Sequence, residues 1–234
     1  MVFCLKNTKP EAPAASAAGD AGSKASLKEA FSVLVSNPAA VMLSLGLCMM
    51  IYVDIGFKTW MPNHLQETFG LSKGSAALNG VMWHYLGAFA GVILGGRVSD
   101  MFVKRRPSIR METNFFGLLV SIPFIVWMAF AQNCTVCCIA MALFGLFRGV
   151  YDSNLMAALF DLIPARYHAS GVGVMLCFSF VFGSLSPLAL GVMKEHFPSS
   201  VGLASLAAFY VIGALVILAA RVKTFDASGA WRAK

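Results

Sequence analysis

Long apolar segments and short polar gaps alternate along the 234-residue chain. A helix that crosses a bilayer needs about 20 predominantly apolar residues. Six segments meet this requirement, over residues 38–60, 76–99, 111–131, 134–163, 169–193 and 201–220. The pattern predicts an all-α membrane protein with a six-transmembrane-helix bundle over residues 38–221 and a polar tail over 222–234.

The region before the first span has a different composition. Residues 1–5 are apolar, which we interpret as the end of a preceding transmembrane helix. Residues 6–37 are rich in Ala, Pro, Ser and Gly, as in a linker on the cytoplasmic side. Within the linker, Ser26 and Glu29 fit a capping box that predicts a short amphipathic helix before Pro38.

The composition indicates that the solvent of the bundle is lipid. Hydrophobic residues make up 58% of the chain and charged residues only 12%, whereas a soluble domain carries about 25% charged residues. This argues against an ordinary soluble enzyme and against a disordered protein. The net charge of +7 is spread over several polar gaps. We therefore expect a lipid bilayer, and no nucleic acid, as a partner.

The basic residues predict the orientation of the bundle. Lys and Arg concentrate in the gaps on the side of the N-terminus, while Lys73 and Lys194 fall in gaps on the other side. The positive-inside rule then places both termini in the cytoplasm, as an even number of spans also requires. We expect a multi-pass protein of the plasma membrane, which in bacteria is the inner membrane.

Four charged residues lie deep inside the predicted spans, where a charge costs about 2.5 kcal/mol or more. Asp54 and Lys58 are four positions apart in the first span, and Arg148 and Asp152 are four apart in the fourth. Residues at this spacing share one helix face. The first and fourth spans each lead a group of three, so we predict two three-helix inverted repeats with a site between them. Counting along the helices puts Asp54 and Arg148 at similar depth.

Two interpretations of these charges are open. They can neutralise each other as two intrahelical pairs that stabilise the fold. Alternatively, Arg148 and Lys58 bind a small polar or anionic organic solute, with Tyr52 and Tyr151 as further substrate-binding candidates. Arginine suits this role because it keeps its charge and presents a fork of donors to a carboxylate.

Three residues are candidates for coupling to an ion. Asp54 and Asp152 are carboxylates in an apolar environment, which suits the transfer of a proton. His84 lies within the second span, either as a structural histidine or as part of a proton relay. The sequence leaves proton and sodium coupling open.

Small residues predict where helices pack closely. Gly87, Gly91 and Gly95 recur at every fourth position of the second span, and Gly145 and Gly149 have the same spacing in the fourth. Such patterns allow helix backbones to approach each other.

The remaining motifs argue against other classes of protein. Cys134, Cys137 and Cys138 lie close together but have no second Cys or His pair nearby, so we expect no metal site and no other cofactor. The chain contains no phosphate-binding loop and no hydrolase motif, so we expect neither ATP-driven transport nor an enzyme.

The polar gap after the second span carries a family signature. Gly96, Asp100, Arg105 and Arg106 occur there in an arrangement that resembles the loop signature of the major facilitator superfamily. The departures from that signature are Met101 in place of a basic residue and Val103 in place of a second glycine. The resemblance implies a role in gating for the four matching residues.

A second match follows the fourth span. Asp161, Pro164, Arg166 and Gly171 resemble the acid–proline–basic–glycine loop between helices ten and eleven of the same family. His168 stands where that loop often has another basic residue. The resemblance implies that Asp161 and Arg166 make charge contacts that change between conformational states.

The resemblance covers nearly the whole chain and implies its architecture. The chain is similar to helices seven to twelve, the C-terminal half of a twelve-helix secondary transporter in which two six-helix bundles alternate access to the substrate. This implies an N-terminal six-helix half as partner. The chain looks most like the organic anion:cation symporter or sugar-acid carrier branch. The alternative is a truncated or accessory membrane bundle with no transport activity of its own.

Overall fold

Helices account for almost all of the described backbone. The computed structural model describes residues 27–103 and 108–223, and no strand occurs within these two ranges. The helices are α1 (Leu27–Ser36), α2 (Pro38–Phe69), α3 (Lys73–Phe102), α4 (Ile109–Ala129), α5 (Cys134–Phe160), α6 (His168–Gly183), α7 (Ser186–His196) and α8 (Ser199–Arg221), with a 3-10 turn at Ala165–Tyr167.

Several predictions fall outside the described residues and stay predictions. They concern residues 1–5, most of the linker over 6–37, the gating candidates Arg105 and Arg106, and nearly all of the tail over 222–234.

Six segments are long and apolar enough to cross a membrane, as the hydropathy pattern predicts. Helices α2, α3, α4, α5 and α8 are one span each, and α6 and α7 together make the fifth span. Many large apolar side chains, such as Phe89 and Leu188, point out of the bundle. Lipid is the solvent that suits such a surface, so the protein is an integral multi-pass membrane protein.

The first span is longer than the sequence predicts. Helix α2 continues to Phe69, beyond the predicted end at residue 60. Its last turns are polar and contain Pro62, so the apolar pattern does not reveal them. Gly70 then ends the helix in the left-handed conformation, with φ of 66°, which glycine adopts without a steric clash.

Asn37 fixes the start of the first span. Its side-chain oxygen accepts hydrogen bonds from the backbone N–H of Ala39 and Ala40 at 3.0 and 3.4 Å, as an N-cap residue does. Its amide nitrogen also donates to the Leu162 carbonyl at 2.9 Å. The start of α2 is therefore attached to the segment that follows α5.

The helix contacts follow a two-fold pattern. Helix α5 packs most extensively against α3 and α4, α2 packs against α8 and α6, and α4 packs against α8. If the first three spans are matched in order to the last three, α2 corresponds to α5, α3 to α6 and α7, and α4 to α8. The α5–α3 contact is then equivalent to the α2–α6 contact, and the α5–α4 contact to the α2–α8 contact. The α4–α8 contact is equivalent to itself. This is the contact pattern expected for two inverted three-helix repeats.

The predicted glycine patterns pack against each other. A Cβ atom on Gly91 of α3 would overlap the Leu146 carbonyl of α5, and one on Gly145 of α5 would overlap the His84 carbonyl of α3. The two backbones are therefore in direct contact, which larger residues would prevent. This close approach fixes the position of His84 relative to α5.

The fifth span is interrupted near its middle. Helix α6 ends at Gly183 and α7 begins at Ser186, with Pro187 in its first turn. Proline is tolerated there because the first N–H groups of a helix have no partner within it. By contrast, Pro123 lies inside α4 without ending that helix.

Helix α7 is attached to the last turns of α2. Trp60 Nε1 donates a hydrogen bond to the Pro187 carbonyl at 3.1 Å. Lys194 forms an ion pair with Glu67, and its ammonium lies 5.3 Å from the centre of the Trp60 ring. These contacts hold α7 against α2 over its whole length.

Candidate functional site

Both charge pairs predicted from the four-residue spacing are present. On α2, Lys58 Nζ donates a hydrogen bond to Asp54 Oδ2 at 2.7 Å. On α5, Arg148 Nη2 lies 3.4 Å from Asp152 Oδ2. Each pair shares one helix face, as side chains at this spacing do.

Arg148 joins the two pairs across the bundle. Its Nε atom lies 3.3 Å from Asp54 Oδ1, although the alignment is not that of a hydrogen bond. The four residues therefore form one charge cluster, which contains Asp54, Lys58, Arg148 and Asp152. Asp54 and Arg148 meet because the rise along two antiparallel helices brings them to the same level.

The centre of the charge cluster is buried and its rim is partly open. The exposed fractions of the side chains are 9% for Asp54 and 11% for Arg148, against 28% for Lys58 and 30% for Asp152. Lys58 lies one turn nearer the end of the bundle that holds the α2–α3 connection. Asp152 lies one turn nearer the opposite end, which we call the terminal end because α1 and the start of α2 lie there. The Lys58 ammonium also lies 4.8 Å from the centre of the Tyr85 ring.

His84 of α3 faces the buried centre of the charge cluster. Its Nε2 atom lies 3.8 Å from Asp54 Oδ1, and its side chain is completely buried. The ring packs against both Phe57 and Phe144, at centroid distances of 5.0 and 4.9 Å, and these two rings also contact each other at 5.3 Å. Neither ring nitrogen has a hydrogen-bond partner within the described part of the chain. A small movement would bring His84 within hydrogen-bond distance of Asp54.

The two predicted substrate-binding tyrosines are packed inside the bundle. Tyr52 lies two residues before Asp54, almost on the other side of α2, and its ring stacks on Phe209 at 4.0 Å. Tyr151 is completely buried, and the absence of a side chain on Gly117 of α4 leaves room for its Cβ atom. Contact of either tyrosine with a substrate stays a prediction.

Tyr210 of α8 is a site residue that the sequence does not indicate. It is completely buried, with its ring 5.8 Å from that of Phe144. It lies close enough to Arg148, Asp54 and Asp152 for electrostatic interactions. Its hydroxyl has no hydrogen-bond partner among residues 27–103 and 108–223. A single tyrosine in an apolar span produces no periodic pattern. Its polar hydroxyl within the span is the only signal in the sequence that could have indicated a site residue.

An ion pair at the terminal end involves one of the predicted gating residues. Arg110 Nη1 donates to both carboxylate oxygens of Asp161 at 2.9 Å, which connects the start of α4 to the end of α5. The guanidinium of Arg166 instead lies 5.7 Å from the centre of the Tyr167 ring. The sequence did not single out Arg110 because its partner is distant along the chain.

The other gating candidates have fewer described contacts. A Cβ atom on Gly96 would meet no atom within 4 Å, and Asp100 is exposed on the last turns of α3. Arg105 and Arg106 are outside the described residues. A gating role for these residues stays a prediction.

The cysteines near the start of α5 show no metal-binding arrangement. Cys137 Sγ donates a hydrogen bond to the Met128 carbonyl at 3.4 Å, which is a structural contact. Within the described ranges, no group of three or more His, Cys, Asp or Glu residues is arranged to hold a metal ion.

Three curated relatives are named as transporters or pumps. The chain is 23% identical over 201 residues to an MFS-type efflux pump of Mycolicibacterium smegmatis, covering 86% of this chain and 46% of that protein. It is 28% identical over 174 residues to a D-galactonate transporter of Escherichia coli, covering 71% and 39%. It is 28% identical over 102 residues to a citrate-proton symporter of Salmonella typhi, covering 42% and 23%. The chain thus spans about half the length, or less, of these relatives.

Solved structures show the same fold. A bacterial homolog of the human lysosomal transporter Spinster, in an inward-facing and unoccupied conformation, matches with a TM-score of 0.76 at 21% identity. The match covers 87% of this chain and 51% of that one. A peptide transporter, POT, matches with a TM-score of 0.59 at 19% identity, covering 78% and 37%. The six-helix bundle therefore has the fold of one half of these larger proteins.

The family match includes the charge cluster. The family model of the Major Facilitator Superfamily matches residues 1–187. This range contains the two charge pairs, His84, and both loops that resemble the family signatures. The chain therefore belongs to the Major Facilitator Superfamily of membrane transporters.

Proposed function

We propose that the chain is half of a secondary active transporter that moves a small polar or anionic organic solute by alternating access, coupled to a proton or a sodium ion. The observation that carries the proposal is the charge cluster in the interior of the bundle. Charges at membrane depth are costly, and they commonly mark the pathway of a transported ion or substrate.

Arg148 is the residue best suited to bind an anionic substrate. Its guanidinium keeps its charge and offers paired donors that match a carboxylate. The side chain is only 11% exposed, so water screens an ion pair there weakly. A substrate carboxylate would replace Asp54 Oδ1 as the partner of Arg148, and Lys58 would supply a second cation at the open rim. Tyr52 and Tyr151 remain candidates for further substrate contacts.

The charge balance of the cluster supports coupling to a cation. Asp54 and Asp152 balance Lys58 and Arg148, so the cluster is neutral when all four are charged. Binding of a monovalent anion would leave one uncompensated negative charge in a region of low dielectric. One proton or one sodium ion on Asp54 or Asp152 restores neutrality. His84, with Nε2 at 3.8 Å from Asp54, is placed to relay the proton.

Alternating access requires contacts that open and close at the ends of the bundle. We assign the Arg110–Asp161 ion pair to this role at the terminal end, because it joins two helices through side chains that are partly exposed. Exposed ion pairs contribute little to stability and separate easily. Gly96, Asp100 and Arg166 lie at the same end, and Arg105 and Arg106 follow α3 in the sequence.

A second six-helix half completes the proposed transporter. The bundle matches 51% of the Spinster homolog. The proposed N-terminal half corresponds to the rest of that protein and would cover the open rim of the charge cluster. The proposed location is the bacterial inner membrane, with both termini in the cytoplasm. The distribution of Lys and Arg supports this orientation.

Uptake by proteoliposomes tests the proposal. The vesicles contain the chain together with its N-terminal half, and radiolabelled D-galactonate and citrate serve as probes because two relatives carry these names. We expect uptake to depend on an inward proton or sodium gradient. Arg148→Ala and Asp54→Asn should each lower gradient-driven uptake at least about tenfold.

A matched control and two opposing results make the test decisive. Lys194→Ala removes a cation from the ion pair with Glu67, away from the charge cluster, and should leave uptake within about twofold. Unchanged uptake in both cluster variants would remove these residues from the site. No uptake of either probe under either gradient would favour an accessory bundle without transport activity.

A further inference from the structure

We propose that Tyr210 is a positioning residue of the ion site: its hydroxyl accepts a hydrogen bond from Asp54 when the carboxyl carries the coupled proton and Arg148 has turned to the substrate. The inference rests on the proposed function and extends it to α8. Neither the spacing of charges nor the family signatures involve this helix.

Tyr210 approaches the charge cluster from its closed side. Its ring lies 5.8 Å from Phe144, and Phe144 in turn lies 4.9 Å from the ring of His84. Both Tyr210 and Phe144 are completely buried. This complete burial favours a role for Tyr210 in positioning Asp54 over direct contact with a substrate.

Several buried polar atoms in and around the charge cluster lack a hydrogen bond. They are the Tyr210 hydroxyl, Asp54 Oδ1, Arg148 Nε, the Tyr151 hydroxyl and both ring nitrogens of His84, and none has a partner within the described residues. Buried polar groups are almost always hydrogen-bonded, and an exception calls for an explanation. A buried hydroxyl that lies near an ion pair without bonding to it is available when the ion pair opens.

The groups around Asp54 determine what happens when Arg148 leaves. The titratable and charged groups around Asp54 and Arg148 are Lys58 on α2, His84 and Tyr85 of α3, Tyr151 and Asp152 of α5, and Tyr210 of α8. When a proton from the aqueous phase binds Asp54 Oδ1, the neutral carboxyl becomes a donor. The oxygen of Tyr210 is a suitable acceptor. On release the proton returns to the aqueous phase on the other side of the membrane, and Asp54 pairs with Arg148 again.

Tyr210→Phe tests this role because it removes the hydroxyl and keeps the ring against Phe144. We measure D-galactonate uptake as a function of pH in proteoliposomes that contain the chain and its N-terminal half. Loss of the hydrogen bond to the protonated carboxyl should shift half-maximal uptake to a lower pH, at about tenfold higher proton concentration. Counterflow exchange at saturating proton concentration should stay within about twofold of wild type.

The control removes another hydroxyl from the same helix. Ser205 donates to the Gly202 carbonyl at 2.7 Å, so Ser205→Ala removes a hydroxyl that has a partner and should leave the pH profile in place. In an Asp54→Asn background, Tyr210→Phe should have no further effect on exchange. A lower maximal rate with an unshifted pH profile would assign Tyr210 a packing role and overturn the inference.

A spectroscopic measurement on the unmodified protein covers the case in which Tyr210→Phe does not fold. Infrared difference spectra between low and high pH should show a protonated carboxyl together with a change in tyrosine hydroxyl bands. A protonated carboxyl without any tyrosine change would overturn the inference. Failure of the proposed function looks different, because the wild type itself would then take up neither probe.

Discussion

The contact between Asp54 and Arg148 predicts strong coupling between substitutions at these positions. Asp54→Asn removes the charge at nearly constant volume. It leaves Lys58 without its acidic partner and Arg148 with Asp152 alone. Arg148→Gln leaves Asp54 paired with Lys58 at 2.7 Å. The first change should therefore destabilise the bundle more than the second.

The distances give the expected size of this coupling. At 3.3 Å, two unit charges attract by about 5 kcal/mol for an effective dielectric constant of about 20. Desolvation of the two groups cancels much of this attraction. We expect costs of about 3 kcal/mol for Asp54→Asn and about 2 kcal/mol for Arg148→Gln. The double variant should cost about 2 kcal/mol less than the sum of the two.

Equilibrium unfolding of the four proteins in mixed detergent micelles, followed by circular dichroism, measures the coupling. The more exposed Arg110–Asp161 pair provides the control cycle, with an expected coupling below about 1 kcal/mol. If the Asp54–Arg148 cycle gave a coupling within about 0.5 kcal/mol of zero, the two charges would not form one cluster in the membrane protein.

Three further predictions follow from individual contacts. Gly91→Leu should force α3 and α5 apart and destabilise the bundle by about 1–3 kcal/mol. The control Gly173→Leu should change the stability little, because a Cβ atom there meets no atom within 4 Å. Equal unfolding temperatures of the two variants would contradict the backbone contact. Arg110→Asp should impair gradient-driven uptake, and the charge-swapped pair Arg110→Asp with Asp161→Arg should restore it; failure to restore would remove this ion pair from the gate. Asn37→Ala should cost about 1 kcal/mol and speed hydrogen exchange in the first turn of α2, and unchanged exchange would show that the cap is not needed there.

The apolar pattern predicted the spans well and their ends less well. Bilayer thickness fixes the length of an apolar helix, so composition alone located the six spans. It missed the last turns of α2 because residues such as Asn63 and Glu67 are polar, although the helix continues through them. Capping at Gly70, a local backbone conformation, determines that end.

Helix spacing predicted part of the candidate site. A separation of four residues places both members of each charge pair on one face, and the rise per residue gives their depth. These two rules predicted that Asp54 and Arg148 lie at similar depth, and the structure places them 3.3 Å apart. They could not identify Tyr210 or the Arg110–Asp161 pair, because contacts between helices distant in sequence depend on how the helices pack. Of the sequence patterns, only the spaced glycines indicated where helices approach each other closely.

The interruption after Gly183 means that the fifth span is not a single rigid rod. Its far section, α7, contacts α2 through Trp60 and Lys194, and its near section, α6, packs against both α2 and α1. Both sections therefore contact α2, the helix that carries Asp54 and Lys58. The fifth span can in this way bend at its middle while each section keeps its own contacts with α2.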